Sequence, residues 1–328
     1  MPLTDEEFAG WVADLTQRVE EQLREAVATP YAFVEEAARY LLRAGGKLFR
    51  PALTIASGGL GFAEPGVGSV DDEALVSAAV VVELTHVASL YHDDVMDEAE
   101  LRRGGPTAHM KWGNSVAIMV GDFMLAQASL VGAPLGEEFM THQGRTLARL
   151  VQGQIAELRG PEPGADPIAH HLQVISDKTA ALISSAARYG GMFASLPPGQ
   201  VAALSQYGQY LGMAFQLADD LLDILSTESG KALGTDLREG VPTLTTLIVQ
   251  RDNRPQDAHL LQLLSAPVPD EDIPEALALL SVHPAVDEAR AQVRDYANQA
   301  LSCLDGFPDA PATRALTTLC EQAVIRSN

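Results

Sequence analysis

The chain has 328 residues, 47% of them apolar, only 5% aromatic, and a formal net charge of −22. That length suits one large domain or two ordinary ones, and the acidic excess opposes binding to a nucleic-acid backbone or a polybasic attachment to membrane. Two cysteines, Cys303 and Cys320, form neither a disulfide framework nor a zinc site and point to a reducing, cytoplasmic compartment.

Read in chain order, amphipathic or apolar helical patterns fall near 4–27, 31–43, 50–58, 71–99, 112–132, 135–159, 167–190, 198–228, 240–251, 256–264, 270–281, 285–305 and 311–326. Gly and Pro clusters separate them: Gly45-Gly46, Gly104-Gly105-Pro106, Gly160 to Pro167, Pro197-Pro198 and Gly230 to Gly240. Ala and Leu are abundant, and no alternating β-branched run has hairpin signals around it. The expected fold is an all-α helical bundle around a central cavity, one domain over 1–328. Met1 to Gly10 is acidic and lacks a basic-then-apolar leader pattern. The apolar run near 74–82 is too short to span a bilayer, so a soluble protein is expected.

Two central segments carry the same acidic signature. Asp93-Asp94-Val95-Met96-Asp97 and Asp219-Asp220-Leu221-Leu222-Asp223 both read Asp-Asp-x-x-Asp. On a helix, residues four apart share a face, so Asp93 pairs with Asp97 and Asp219 with Asp223. Carboxylates set in apolar stretches are costly unless a positive partner meets them. Hard oxygen ligands suit Mg²⁺, which keeps waters and bridges to substrate phosphates. Two such clusters on facing helices suggest a metal clamp around a diphosphate. The basic residues that such a site needs stand at Lys47, Arg50, Arg102, Arg103, Lys178 and Lys231; arginine forks suit diphosphate oxygens in particular.

In this combination the chain resembles the trans-isoprenyl diphosphate synthases of the polyprenyl synthetase family. The resemblance rests on Gly-Gly-Lys-x-x-Arg-Pro at 45–51, His86 seven residues before Asp93, Arg102-Arg103-Gly104, Gly121-Asp122, Lys178-Thr179, Phe215-Gln216 before the second motif, and Gly234-x-Asp236-Leu237. It implies that Lys47, Arg50, His86 and Arg103 hold the diphosphate of isopentenyl diphosphate. Arg102, Lys178, Thr179 and Gln216 would hold that of the allylic substrate. Asp93, Asp97, Asp219 and Asp223 would ligate Mg²⁺, three ions per site, with Asp94 and Asp220 as further catalytic carboxylates. The implied chemistry is head-to-tail condensation, and the implied assembly a homodimer. Thr235 and Val241 replace lysines common in the family, which weakens the expected grip on the allylic diphosphate.

Residues four and five before Asp93 are Ser89 and Ala88, about 6–7.5 Å further down the helix. Bulky aromatics there stop elongation early in the family. Small ones resemble the long-chain enzymes, so a product of about thirty to fifty carbons for a quinone side chain is expected. Phe139, Met140, Met124 and Leu84 are candidates for the floor of the tunnel. Alternatives are a farnesyl or geranylgeranyl diphosphate synthase, a class I terpene cyclase, and a non-catalytic partner subunit. A second Asp-Asp-x-x-Asp and the Lys47/Arg50 loop argue against the cyclase, and six retained aspartates argue against the inactive subunit.

Overall fold

Helices form where Ala- and Leu-rich segments place apolar residues on one face, and they stop where glycine or proline breaks the ladder. The structure, a computed structural model, describes residues 3–46, 48–64, 70–225 and 233–325. Lys47 and Lys231 lie outside the described residues. In chain order the elements begin with α1 (Asp5–Ala26), α2 (Ala32–Arg43), α3 (Phe49–Gly58) and α4 (Asp72–Met96). A two-residue hairpin follows, β1 (Leu101–Arg102) against β2 (Gly105–Pro106). Then come α5 (Ala108–Trp112), α6 (Asn114–Gly132), α7 (Glu137–Arg159), α8 (Pro167–Ile175), a π turn (Ser176–Ala180), α9 (Ala181–Phe193) and α10 (Pro198–Leu225). The last are α11 (Thr235–Glu239), α12 (Leu244–Asp252), α13 (Ala258–Leu263), α14 (Ile273–Ser281), α15 (Pro284–Ser302) and α16 (Pro311–Ile325).

The all-α expectation holds, with local differences. The helix expected over 71–99 stops at Met96, and Glu98 adopts a positive φ of 50° that turns the chain into the hairpin. The segment expected as one helix from 112 starts only after Gly113, whose φ of 87° separates α5 from α6. The helix expected over 167–190 is interrupted by the π turn. The helix expected from 240 begins at Leu244, capped by Thr243, whose side chain accepts from the Thr246 amide.

The chain divides into two compact units, one of Met1–Leu147, Leu182–Ser205 and Gly306–Leu316, the other of Ala148–Ala181, Gln206–Asp305 and Thr317–Asn328. In the first, α4 packs against α1, α3, α5 and α6. Leu75, Val80, Val82, Leu84 and Val87 are fully buried along it, each contributing about 1.5–3 kcal/mol of transfer free energy. Tyr91 fixes α2 to α4: its hydroxyl donates to Ala37 O at 2.5 Å and accepts from Leu41 N at 3.3 Å. Trp11 ties α1 to the start of α4 by donating to Asp72 Oδ1 at 3.1 Å. In the second unit α12 packs on α8 and α15. There, His283 caps α15 by accepting from Ala285 N at 3.0 Å.

By length and hydropathy alone, α4 and the segment Asn114–Leu135 could each cross a bilayer, which a count of uninterrupted apolar residues missed. The apolar window of α4 is 72% buried, as a core helix is, against 33% for the other. Ile118, Met119 and Leu130 of α6 are exposed.

Gly190 sets the approach of α9 to α3. A Cβ there would lie 2.4 Å from Thr54 O and 2.8 Å from Gly58 N, backbone atoms that cannot swing aside. Gly190→Ala should therefore cost about 1–3 kcal/mol by overpacking, outweighing the ~1 kcal/mol that alanine gains in a helix. A thermal melt should show a midpoint lower by several degrees; an unchanged or higher midpoint would contradict this packing.

Candidate active site

The first acidic motif ends α4, inside the first unit. Its three aspartates are in different surroundings: Asp93 is half-buried, Asp97 is exposed and Asp94 is fully buried. Arg102, on the hairpin, places both Nε and Nη2 at 2.7 Å from Asp94 Oδ1. Burial pushes the Asp94 carboxyl up, and Arg102 opposes the shift. Its Oδ2 has no hydrogen-bond partner among the described residues. Asp94 thus anchors Arg102, a cation that the resemblance assigned to substrate, and Asp93 and Asp97 remain the pair on one helical face.

A basic cluster lies on the same unit. Arg50 on α3, His86 on α4, and Arg102 and Arg103 on the hairpin interact electrostatically. Arg103 Nη1 donates to Leu41 O at 2.8 Å. Arg50 Nε is buried and has no hydrogen-bond partner among the described residues. Burial lowers the Arg50 guanidinium; Glu83 opposes this and Arg103 adds to it. Burial, with Arg50, Arg103 and Arg102 around it, holds His86 well below the usual histidine range. Burial and the surrounding cations both favour the neutral imidazole, and an anion would oppose the effect of the cations. Two non-glycine residues bordering the cluster have positive φ, Leu48 at 43° and Arg103 at 54°, a conformation that costs free energy and that collects at binding sites.

Sequence reasoning passed over Glu83, the carboxylate of this cluster. It is 4% exposed; burial raises it, while Arg50 and Arg103 draw it down. A charged residue in a run of valines, three before His86 and hence on its face, was the signal available.

Ala88 is fully buried, and Ser89 is half-buried with its hydroxyl donating to His86 O at 2.8 Å. Leu84, Met124 and Phe139 are fully buried too. Phe139 lies 4.4 Å from the Tyr189 ring and 5.8 Å from that of Phe193, centroid to centroid. A Cβ on Gly132 would meet Met140 at 2.9 Å, Phe139 at 3.0 Å and Val81 at 3.4 Å. Val81 is on α4, about 18 Å along the helix from Asp93. Phe139 and Met140 thus gather at the level of Val81, far below the aspartates.

The second motif lies on α10, in the second unit. The π turn carries Lys178 and Thr179, an irregularity that recurs at functional sites. Gly153 of α7 permits it, since a Cβ there would stand 2.6 Å from the Lys178 amide nitrogen. Lys178 forms an ion pair with Glu157. Thr179 Oγ1 donates to Gln216 Oε1 at 3.1 Å, and Gln216 Nε2 donates to Asp220 Oδ1 at 2.9 Å. On the other side of that carboxylate His171 Nε2 lies 3.7 Å from Oδ2. Sequence reasoning gave His171 no role.

Asp236 donates its amide to Asp223 Oδ2 at 3.1 Å. Burial, with Asp220, Asp223, Glu239 and Glu157 nearby, pushes its carboxyl up to about 8. Val241 N, in turn, donates to Asp236 O at 2.8 Å. Carboxylates crowded into a buried place to this extent fit a hard divalent cation. Among the described residues, no three His, Cys, Asp or Glu side chains form a ready-made metal cage.

Known proteins share this sequence and this fold. The model of the polyprenyl synthetase family matches residues 31–280. A nonaprenyl diphosphate synthase of Mycobacterium tuberculosis (strain ATCC 25618 / H37Rv) is 43% identical over 327 residues, 99% of this chain and 96% of that protein. The crystal structure of a decaprenyl diphosphate synthase from Rhodobacter capsulatus aligns with a TM-score of 0.87 at 31% identity, covering 99% of this chain and 100% of the other. A geranylgeranyl pyrophosphate synthase from Corynebacterium glutamicum, complexed with calcium and isoprenyl diphosphate, aligns with a TM-score of 0.85 at 38% identity, covering 98% of each chain. The all-α fold is thus that of these solved structures, and the chain belongs to the polyprenyl synthetase family.

Proposed function

We propose that this chain is a prenyltransferase that condenses isopentenyl diphosphate with an allylic diphosphate, repeatedly, into a long all-trans polyprenyl diphosphate. The observations that carry the reading are a cation-rich cluster, Arg50, His86 and Arg103, and the buried carboxylates in or near the two acidic motifs, Asp94, Asp220 and Asp236. Full-length identity of 43% to a nonaprenyl diphosphate synthase supports a long product.

Arg50, His86 and Arg103, with Lys47, hold the diphosphate of isopentenyl diphosphate. The neutral His86 gains a proton most easily when that anion arrives. Lys178, Thr179, Gln216 and Arg102 serve the allylic diphosphate. Asp93, Asp97, Asp219 and Asp223 would hold Mg²⁺, which would supply electrostatic activation of the leaving diphosphate. The allylic C–O bond breaks and the resulting carbocation is attacked by the isopentenyl double bond. A proton then leaves carbon for the departing diphosphate, and a trans double bond forms. Fixed cations aimed at the leaving group lower the barrier without reorganising.

The first test is incubation of the purified chain with isopentenyl diphosphate, Mg²⁺ and geranyl, farnesyl or geranylgeranyl diphosphate, with products sized by mass spectrometry. The expected ladder ends at about thirty to fifty carbons, as small residues along the first turns below Asp93 allow. The 38% identity to a geranylgeranyl pyrophosphate synthase favours a second reading, for which the ladder would stop at twenty carbons.

Ala88 and Ser89 lie on the path of the growing tail in this reading. Ala88→Phe or Ser89→Phe should shorten the product while condensation with the shortest primer continues. Unchanged product length in both variants would sink the tunnel assignment.

We also propose a homodimer. Met119, Asp122, Ala126 and Leu130 recur at helical spacing on α6 and are exposed; a mostly apolar stripe of this kind suits a second copy related by a two-fold axis. Sedimentation equilibrium should give twice the chain mass, and the mass of one chain for Met119→Glu/Leu130→Glu. A monomeric wild type, or a variant of undiminished mass, would exclude this face.

A further inference from the structure

His171 has a place in the second acidic motif that its isolated position in the sequence does not announce. It lies on α8, and its side chain is 14% exposed. Its Nε2 is fully buried and has no hydrogen-bond partner among the described residues. The neighbouring His170, by contrast, has its Nε2 3.2 Å from Ala156 O. What His171 Nε2 faces is Asp220 Oδ2, at 3.7 Å. That separation is too long for a hydrogen bond and short enough for a modest side-chain rotation to close.

Asp220 is itself 8% exposed. Its other oxygen, Oδ1, already accepts from Gln216 Nε2 at 2.9 Å, and Gln216 Oε1 accepts from Thr179. One carboxylate oxygen is thus fixed through α10 to the π turn, and the other has a buried ring nitrogen waiting opposite it. A neutral imidazole carries one N–H and one lone pair. With the proton on Nε2 the ring is a donor aimed at the only half of Asp220 that Gln216 does not hold. A buried N–H without an acceptor is unfavourable, so closing the gap satisfies both groups.

We propose that His171 is a positioning residue for the second acidic motif: its Nε2–H closes on Asp220 Oδ2 when the motif takes up a divalent cation, fixing the carboxylate by one donor on each oxygen. This rests on the reading that the motif carries such a cation. Groups that orient a ligating set in this way sharpen affinity without touching the metal, and losing one typically costs 10–100-fold.

The test is Mn²⁺ binding to the full-length protein, followed by electron paramagnetic resonance of the free ion, with inorganic diphosphate present. Wild type, His171→Ala, His171→Gln and Asp219→Ala are compared, each with a metal-free thermal melt. Glutamine can present an N–H near the position of Nε2. His171→Ala should weaken diphosphate-dependent Mn²⁺ binding by roughly 10–100-fold, with its metal-free melt unchanged. His171→Gln should recover most of the loss, and Asp219→Ala should lose the site. If Asp219→Ala loses Mn²⁺ while His171→Ala binds like wild type, the metal reading stands and the role of His171 is overturned. If Asp219→Ala also binds like wild type, the second motif holds no cation and both readings are overturned. Equal weakening in the alanine and glutamine variants would overturn the donor role, and a fall in the metal-free melt of both would reduce His171 to a packing residue.

Discussion

Charge placed inside an apolar helical interior must meet opposite charge, and in each unit that constraint arranges the charged residues. Around the end of α4 the balance is cationic. Arg50, Arg102 and Arg103 stand about His86, and the buried carboxylates are Glu83 and Asp94, the latter already taken by Arg102. Around α10 the balance is anionic. Asp220, Asp223, Glu239 and Glu157 all act on Asp236, and Lys178 is paired with Glu157. Among the described residues the first arrangement carries more cations than carboxylates, and the second more carboxylates than cations. In the proposed function a diphosphate answers the first and a divalent metal the second.

Backbone geometry does the remaining positioning. The π turn displaces Lys178 and Thr179 from a regular helical register, and the absence of a side chain at Gly153 leaves room for it. Positive φ at Leu48 and Arg103 aims the residues flanking the basic cluster. These are local costs, borne because tightly packed helices on either side over-determine the conformation. The same close packing explains why Tyr91, next to the first motif, is fully buried and bonded at both faces of its hydroxyl to α2.

The proposed product length rests on a different property of α4. On α4 the residues directly below Asp93 are small at Ser89 and Ala88, and bulk returns lower down, where Val81, Met140 and Phe139 meet around Gly132. Phe139 is backed by Tyr189 and Phe193, so it cannot easily yield. In the proposed function, a tail growing along α4 would meet small residues for its first turns and a rigid aromatic group much further on.

The sequence by itself determined the helical class, most helix positions, the two acidic motifs and the basic residues around them. Those features are local: composition sets helix propensity, and spacing of four puts Asp93 with Asp97 and Asp219 with Asp223 whatever the packing. Only the tertiary structure decided what the side chains do to one another. It gave Arg102 to Asp94, joined Thr179, Gln216, Asp220 and His171 into one chain of contacts, and set Glu83 beside Arg50. It broke the helix at Lys178 and ended α4 three residues before the pattern did. The reason is that these outcomes depend on desolvation and on partners distant in the chain, and a lone Glu83 or His171 in a sequence carries no mark of which charges will be folded against it.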